Sequence, residues 1–73
     1  MKKFKITFFN PETIKKREFR FVFKWDGYNH CWLVTVISLF DENTTRYSGD
    51  PIRFVNNYRG FARNGEYVTI KCA

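Results

Sequence analysis

The residues that could perform acid–base or metal chemistry are few in this sequence and widely spaced. His30 and Cys31 are adjacent, Asp26 lies four positions before His30, and Cys72 is the penultimate residue. His30 is the only histidine, and histidine is the side-chain type that ordinarily titrates near neutral pH. A nuclease or acyl-transfer centre would pair this imidazole with a carboxylate, and Asp26 is the nearest one along the chain.

These residues do not predict a catalytic or metal centre. An aspartate in a turn sequence is most often there for turn geometry. Successive strand residues point to opposite faces, so His30 and Cys31 cannot readily share one metal ion or one proton. Together with Cys72 they show no CxxC or HxxxH spacing, and the other carboxylates show no paired spacing. We therefore expect no enzyme activity, no cofactor and no bound metal, and we interpret both cysteines as buried structural residues.

Length and composition indicate one small domain that spans residues 1–73. A chain of this size buries only about 60% of the surface that its unfolded form exposes, so each large side chain matters. Nine Phe, four Tyr and two Trp supply a dense aromatic core and argue against disorder. The 13 Lys and Arg against 7 Asp and Glu give a net charge of +6, which favours a polyanionic partner.

The sequence predicts a cytoplasmic protein with reduced thiols. Two cysteines allow at most one bridge, and the apolar segment Phe4 to Phe9 is too short and too mixed for a signal peptide. No apolar run approaches the ~20 residues that a membrane-spanning helix needs. We therefore expect no membrane partner.

The chain is organised around a long β-hairpin from Glu18 to Phe40, with Asp26-Gly27-Tyr28-Asn29 as its turn. One face of the first arm carries only aromatic side chains, namely Phe19, Phe21, Phe23 and Trp25. A four-residue turn would place Trp25 opposite His30. A two-residue turn would shift the register without changing which side chains share a face. The aromatic face therefore continues onto the second arm.

Two further strands are predicted around the hairpin. Alternation of apolar and polar residues predicts a first strand over Lys2–Phe9 and a last strand over Glu66–Cys72. The first is followed by a loop or a single helical turn, residues 10–17, that ends in the basic triplet Lys15-Lys16-Arg17.

One helix is predicted between the hairpin and the last strand. The polar segment 41–49 is interpreted as a surface loop. Asp50 and Pro51 then begin a helix that extends to about Ala62, because the Asp50 carboxylate can cap the first free amides and proline suits the first helical position. Gly60 would favour an earlier end.

These elements predict an α+β fold. It is a small four-stranded, mainly antiparallel sheet in the order β-β-β-α-β, with one helix packed on its aromatic face. A small five-stranded barrel is the alternative if Ile52 to Val55 forms a strand. The strand order stays open, because the first strand can pair with the second strand or with the last one.

One helix covers only one side of such a sheet, so the other side is predicted to be an open binding surface. Its candidate residues for nucleic-acid or partner binding are Lys3, Lys5, Arg20, Lys24, Tyr67 and Lys71. A small apolar patch is predicted among them, formed by Val22, Leu33 and Ile37.

Nucleic-acid binding with weak sequence specificity is the predicted function, because lysines and arginines contact phosphates while Tyr67 or Tyr28 stacks on a base. The alternative is a protein-interaction module, an inhibitor or regulator, that binds an acidic partner surface or forms a homodimer. Small basic chains without catalytic residues often come from phage or other mobile-element genes. The simplest alternative is a solvated sheet face whose lysines only prevent aggregation.

Overall fold

The structure is a computed structural model that describes all residues, 1–73. Five antiparallel strands form one sheet, in the order β4-β3-β2-β1-β5. The strands are β1 (Lys2–Asn10), β2 (Lys15–Asp26), β3 (Cys31–Ile37), β4 (Glu42–Tyr47) and β5 (Tyr67–Cys72). The helix α1 (Pro51–Asn57) continues into one 3₁₀ turn (Tyr58–Phe61). Strand β1 therefore pairs with both β2 and β5, which resolves the open strand order.

The sheet has five strands, so the prediction of four was wrong. The segment 41–49, expected to be a loop, contains β4, which pairs with β3 along its whole length. Its two threonines and its tyrosine favour strands, and the Thr35 and Thr44 hydroxyls are 3.1 Å apart across the pair. The barrel alternative was also wrong, because Ile52 to Val55 is helical and the sheet ends at β4 on one side and β5 on the other.

Strand β2 is the longest strand, with 12 residues, and its two partner strands are offset along it. Strand β1 pairs with residues 15–23 of β2, whereas β3 pairs with residues 20–26. Only residues 20–23 have a neighbour on both sides. The offset contributes to the elongated shape of the molecule, which measures 47 × 22 × 18 Å. It also means that the basic triplet Lys15-Lys16-Arg17 lies in a strand and not in a loop or helical turn.

The turn between β2 and β3 keeps the predicted faces but shifts the register by two residues. Trp25 pairs with Trp32 and not with His30. The loop comprises residues 27–30, and His30 has a φ of 52°, in the left-handed region. Because that conformation interrupts an extended strand, β3 begins only at Cys31.

The aromatic face of the sheet holds the core, together with side chains of α1. Six residues are fully buried, namely Ile6, Phe8, Phe21, Phe23, Val34 and Val55. The Phe54 ring lies edge-on to Phe21 and Phe23, with centroids 6.2 and 5.8 Å away. The Tyr58 ring lies edge-on to Phe21 at 4.9 Å. Each such aromatic contact stabilises a fold by about 0.5–1.5 kcal/mol beyond its buried area.

Helix α1 begins as predicted and ends earlier than Ala62. The Asp50 carboxylate accepts a hydrogen bond from the Ile52 amide at 3.1 Å, and Pro51 occupies the first turn. The α-helix ends at Asn57, and Gly60 lies in the 3₁₀ turn that follows. Glycine disfavours a continued α-helix at that point because it loses more backbone conformational entropy on folding than any other residue.

Truncation of a core ring should show how much the fold depends on the aromatic face. We expect Phe21→Ala to lower the free energy of unfolding by about 3–5 kcal/mol, because it leaves a cavity between the sheet and α1. Urea unfolding followed by circular dichroism measures this change. The matched control is Phe61→Ala, whose ring is 60% exposed and should contribute far less. Wild-type stability in Phe21→Ala would mean that the two faces are assigned backwards.

Candidate functional site

The side of the sheet opposite α1 carries no covering element, and we call it the open face. Side chains alternate along each strand, and the strand pairing aligns the alternating sets across the sheet. The predicted binding residues all belong to the set that faces away from the core, namely Lys3, Lys5, Arg20, Lys24, Tyr67 and Lys71. The predicted apolar patch belongs to the same set, namely Val22, Leu33 and Ile37.

Three cations lie side by side on the open face, and we call them the cation row. Lys71 of β5 pairs with Lys5 of β1, and Lys5 pairs with Arg20 of β2. Neighbouring strands are about 4.8 Å apart, so the row spans roughly 10 Å between its outer backbones. Its only counter-ion is Glu18, whose carboxylate lies 3.9 Å from the Lys5 amine and 3.4 Å from the Arg20 guanidinium. Lys71 makes no ion pair.

An exposed aromatic pair lies on the same face, towards one end of the sheet. Phe9 pairs with Tyr67, and these residues are 37% and 69% exposed. Lys16 of β2 flanks Phe9 on its other side. The pair lies four residues along the strands from the cation row, which corresponds to roughly 13 Å. Tyr28, the other predicted stacking residue, is 92% exposed but lies in the β2–β3 loop at the far end of the sheet.

The apolar patch of the open face is interrupted by polar groups. Val22 pairs with Thr35, and Leu33 and Ile37 lie on either side of Thr35 along β3. All three apolar residues are half-buried. Lys24 pairs with Leu33 and makes no ion pair. The patch is therefore crossed by hydroxyl and ammonium groups and does not form a continuous apolar surface.

A largely buried ion pair ties β2 to the start of β5, next to the aromatic pair. The Arg17 guanidinium donates to both carboxylate oxygens of Glu66, at 3.1 and 2.9 Å, and the Glu66 side chain is only 8% exposed. The same carboxylate accepts from the Arg63 amide at 2.6 Å. The hydrogen bonds from Arg17, which have the larger effect, and from the Arg63 amide lower the pKa of Glu66 to about 2. Because Tyr67 is the next residue, this ion pair helps to hold Tyr67 in register with β1.

The residues first considered for acid–base chemistry lie in or beside the β2–β3 loop. The Asp26 carboxylate accepts from the side chain of Asn29 at 2.8 Å and from the amides of Tyr28 and Asn29 at 3.1 and 3.3 Å. These bonds, the Asn29 side chain first, lower the pKa of Asp26, which makes it a weaker base. His30 is exposed and makes no hydrogen bond to Asp26. No group of three or more His, Cys, Asp or Glu is placed to hold a metal ion.

The two cysteines are free thiols. Strands β3 and β5 are separated by β2 and β1, and Cys31 lies five residues along β3 from Val36, the residue level with Cys72. The two cysteines are therefore roughly 20 Å apart, too far for a disulfide bond. Cys31 is buried, as expected, whereas Cys72 is exposed. The expectation of a buried residue was wrong for Cys72 because it lies in β5, an edge strand of the sheet.

Three residues of the open face were missed by the sequence analysis. Phe9 follows Phe8, and two adjacent phenylalanines do not show which ring faces outward. Lys16 and Arg46 were assigned to loops, and the structure places both in strands. Arg46 lies 3.3 Å from the Asp26 carboxylate across the open face. The β-favouring residues Thr44, Thr45 and Tyr47 were the signal that could have found Arg46, but the surrounding turn-forming residues outweighed it.

At the level of fold, the five-stranded antiparallel sheet and one short helix place the chain in the α+β class. No protein-family model, curated protein or solved structure matches the chain. None of its helices is long and apolar enough to cross a membrane. The open face is therefore the main guide to function.

The Arg17–Glu66 ion pair should make the stability of the fold depend on acid pH. The pKa of Glu66 is about 2 in the folded chain against an ordinary 4.5, so its contribution is present above pH 4.5 and is lost as pH falls towards 2. We expect the melting temperature to fall across that window and Glu66→Gln to flatten the fall. Glu12→Gln, which removes a carboxylate without an ion pair, is the control and should keep the wild-type pH profile.

Proposed function

We propose that this chain is a non-enzymatic protein that binds single-stranded nucleic acid through its open face. The cation row of Lys71, Lys5 and Arg20 contacts successive phosphates, and the aromatic pair of Phe9 and Tyr67 stacks on bases. Lys3, Lys16 and Lys24 extend the positive surface on either side. The two free thiols suit a reducing compartment such as the cytoplasm.

The observation that carries this proposal is the combination of the cation row with the exposed aromatic pair on one flat surface. Proteins that bind single strands combine a positive track for the backbone with aromatic rings on which bases stack. Sheet-face RNA binders stack two or three bases on aromatic side chains of an open sheet. Phe9 joins Tyr67 on the open face, so the number of available rings reaches the lower end of that range.

A single strand fits this surface better than a duplex does. Reading a duplex requires an element that enters a groove, and the open face is a sheet surface without a projecting helix or ribbon. Stacking also requires unpaired bases. Because phosphate contacts position a ligand without reading its sequence, and stacking tolerates every base, we expect weak sequence specificity.

The second candidate is an acidic protein surface that docks on the same open face. The half-buried residues Val22, Leu33 and Ile37 favour it, because protein interfaces combine an apolar centre with a polar rim. A homodimer through this face is less favourable, because the cation row of one copy would meet the same cations of the other.

Charge reversal in the cation row should abolish binding to a labelled single-stranded oligonucleotide. Three phosphate contacts predict a slope of about −2 in a plot of log affinity against log salt concentration. Lys5→Glu combined with Arg20→Glu should reduce binding below detection at ~100 mM salt, because both contacts become repulsive. Fluorescence anisotropy at several salt concentrations measures the slope and the loss.

The control for this experiment reverses two cations away from the open face. Arg53 and Arg59 are exposed on α1 and its 3₁₀ turn and make no ion pair, so Arg53→Glu with Arg59→Glu changes the net charge equally. This control should retain most of the affinity. An equal loss in both pairs of variants would indicate net charge alone, and no wild-type binding at ~50 mM salt would rule out the proposal.

Removal of the Tyr67 ring should separate stacking from charge. Tyr67→Ala should weaken oligonucleotide binding by about 1–3 kcal/mol, the usual contribution of one stacked base, with little change in the salt slope. Tyr67→Phe keeps the aromatic face and should bind like the wild type. Equal affinity of Tyr67→Ala and the wild type would show that no base stacks at this end of the open face.

A further inference from the structure

The offset of β1 and β3 along β2 leaves part of β2 without a neighbour. Strand β3 pairs with β2 only from Arg20 onwards, so the segment Lys15–Phe19 has β1 on one side and no strand on the other. This overhang of five residues is roughly 17 Å long. The edge of β2 is therefore unpaired along this segment, although β2 is an inner strand of the sheet. The turn that joins β3 to β4 lies beside this edge.

The hydrogen-bond pattern shows which backbone groups of the overhang face the vacant side. The Ala73 amide donates to the Lys3 carbonyl at 2.9 Å, so alternate residues of β1 counted from Lys3 bond towards β5 and the others bond towards β2. The latter residues pair with Arg17 and its odd-numbered neighbours in β2. The amide and carbonyl groups of Lys16 and Glu18 therefore point to the vacant side, where no backbone partner exists.

A groove of about 590 Å³ lies along this vacant edge. One wall is the overhang itself, and the other includes Leu39 and Phe40 of the β3–β4 turn. These two side chains are 86% and 93% exposed, the most solvated large aliphatic and phenylalanine side chains of the chain. Arg63 also lines the groove and makes no ion pair.

We propose that an acidic peptide segment of a partner protein binds in this groove as an added β-strand beside Lys15–Phe19. Its backbone would pair with the free amide and carbonyl groups of Lys16 and Glu18, which is how extended peptides add to exposed sheet edges. Its side chains would alternate between the two sides of the sheet. This site shares Lys16 and Arg20 with the nucleic-acid proposal, which does not use Leu39, Phe40 or Arg63.

Charge determines the chemistry of this peptide. Lys16 and Arg63 are free of ion pairs, and Arg17 is held by Glu66. The one carboxylate on the groove, Glu18, already lies between Lys5 and Arg20. Side chains on the open-face side of the added strand therefore meet a positive surface and are expected to be acidic. On the other side, Phe19 lies in line with Lys15 and Arg17, and the side chain that meets the Phe19 ring is expected to be apolar.

A second copy of this chain is a poor occupant of the groove. Antiparallel pairing of two overhangs would set Lys16 opposite Glu18 of the other copy, but it would also set Arg17 against Arg17. It would bring together two segments that each carry three cations against one carboxylate, and like charges opposite each other destabilise a strand pair. An acidic segment reverses the sign of that interaction. The charge of the overhang therefore favours a different protein over self-association.

The test uses a labelled peptide of alternating glutamate and valine, about eight residues long, with the full chain. A peptide with lysine in place of glutamate is its charge control. Lys16→Ala removes a cation but keeps the outward-facing amide, whereas Lys16→Pro removes both, and that amide has no partner in the fold. We expect binding of the acidic peptide only. Its affinity should fall about threefold in Lys16→Ala and about tenfold further in Lys16→Pro, because one more hydrogen bond is lost.

A second variant avoids any effect of proline on folding. Leu39→Ser with Phe40→Ser alters only exposed side chains of the turn, so it should weaken peptide binding severalfold while leaving the circular dichroism spectrum and oligonucleotide affinity unchanged. Equal binding of the lysine peptide, equal affinities of Lys16→Ala and Lys16→Pro, or no acidic-peptide binding at ~50 mM salt would each overturn the proposal. A dimer on size exclusion that Lys16→Pro dissociates would assign the edge to a second copy instead.

Discussion

Burial of the alternate aromatic residues of β2 is the interaction on which the rest of the structure depends. Phe21 and Phe23 are fully buried, and the rings of Phe54 and Tyr58 reach them from α1 and its 3₁₀ turn. A one-residue slip of β2 would turn these rings to solvent and bring charged side chains into the core. The same constraint fixes the open face, because every residue between two buried rings must point away from α1.

The length of β2 has a second consequence. A strand of 12 residues cannot be covered on both edges by partners of nine and seven residues, and the offset of those partners leaves both of its ends half-paired. At the end near Asp26, the Asp26 carboxylate accepts hydrogen bonds from the Tyr28 amide of the loop and from Arg46, which hold that end of the strand in place. At the other end the backbone of Lys16 and Glu18 stays open, which is why the groove forms there and not elsewhere along the strand.

Much of the fold could be predicted from the sequence, because its main signals are local. Alternating apolar and polar residues indicate the strands, and the Asp50-Pro51 cap indicates the start of the helix. The aromatic face was predicted correctly even though the hairpin register was wrong by two residues, since face assignment depends only on parity. Strand β4 could not be predicted in the same way. Nearly all of its residues are exposed, so the sequence shows no alternation of apolar and polar residues there. The strand forms because pairing with β3 outweighs the turn-like composition of the segment. Phe9 was missed for a related reason, because two consecutive phenylalanines do not reveal which one is buried.

The distribution of charge on the open face argues against a surface that is merely solvated. Around β4 the face is balanced, since Arg46 lies beside Asp26. Along β1 and β2 it is not, since Lys3, Lys71 and Lys24 make no ion pair and Glu18 alone serves Lys5 and Arg20. Clustered charges of one sign repel one another and lower the stability of so small a domain. A solvated face would gain stability by mixing signs, so an uncompensated cluster favours a polyanionic partner that supplies the missing negative charge.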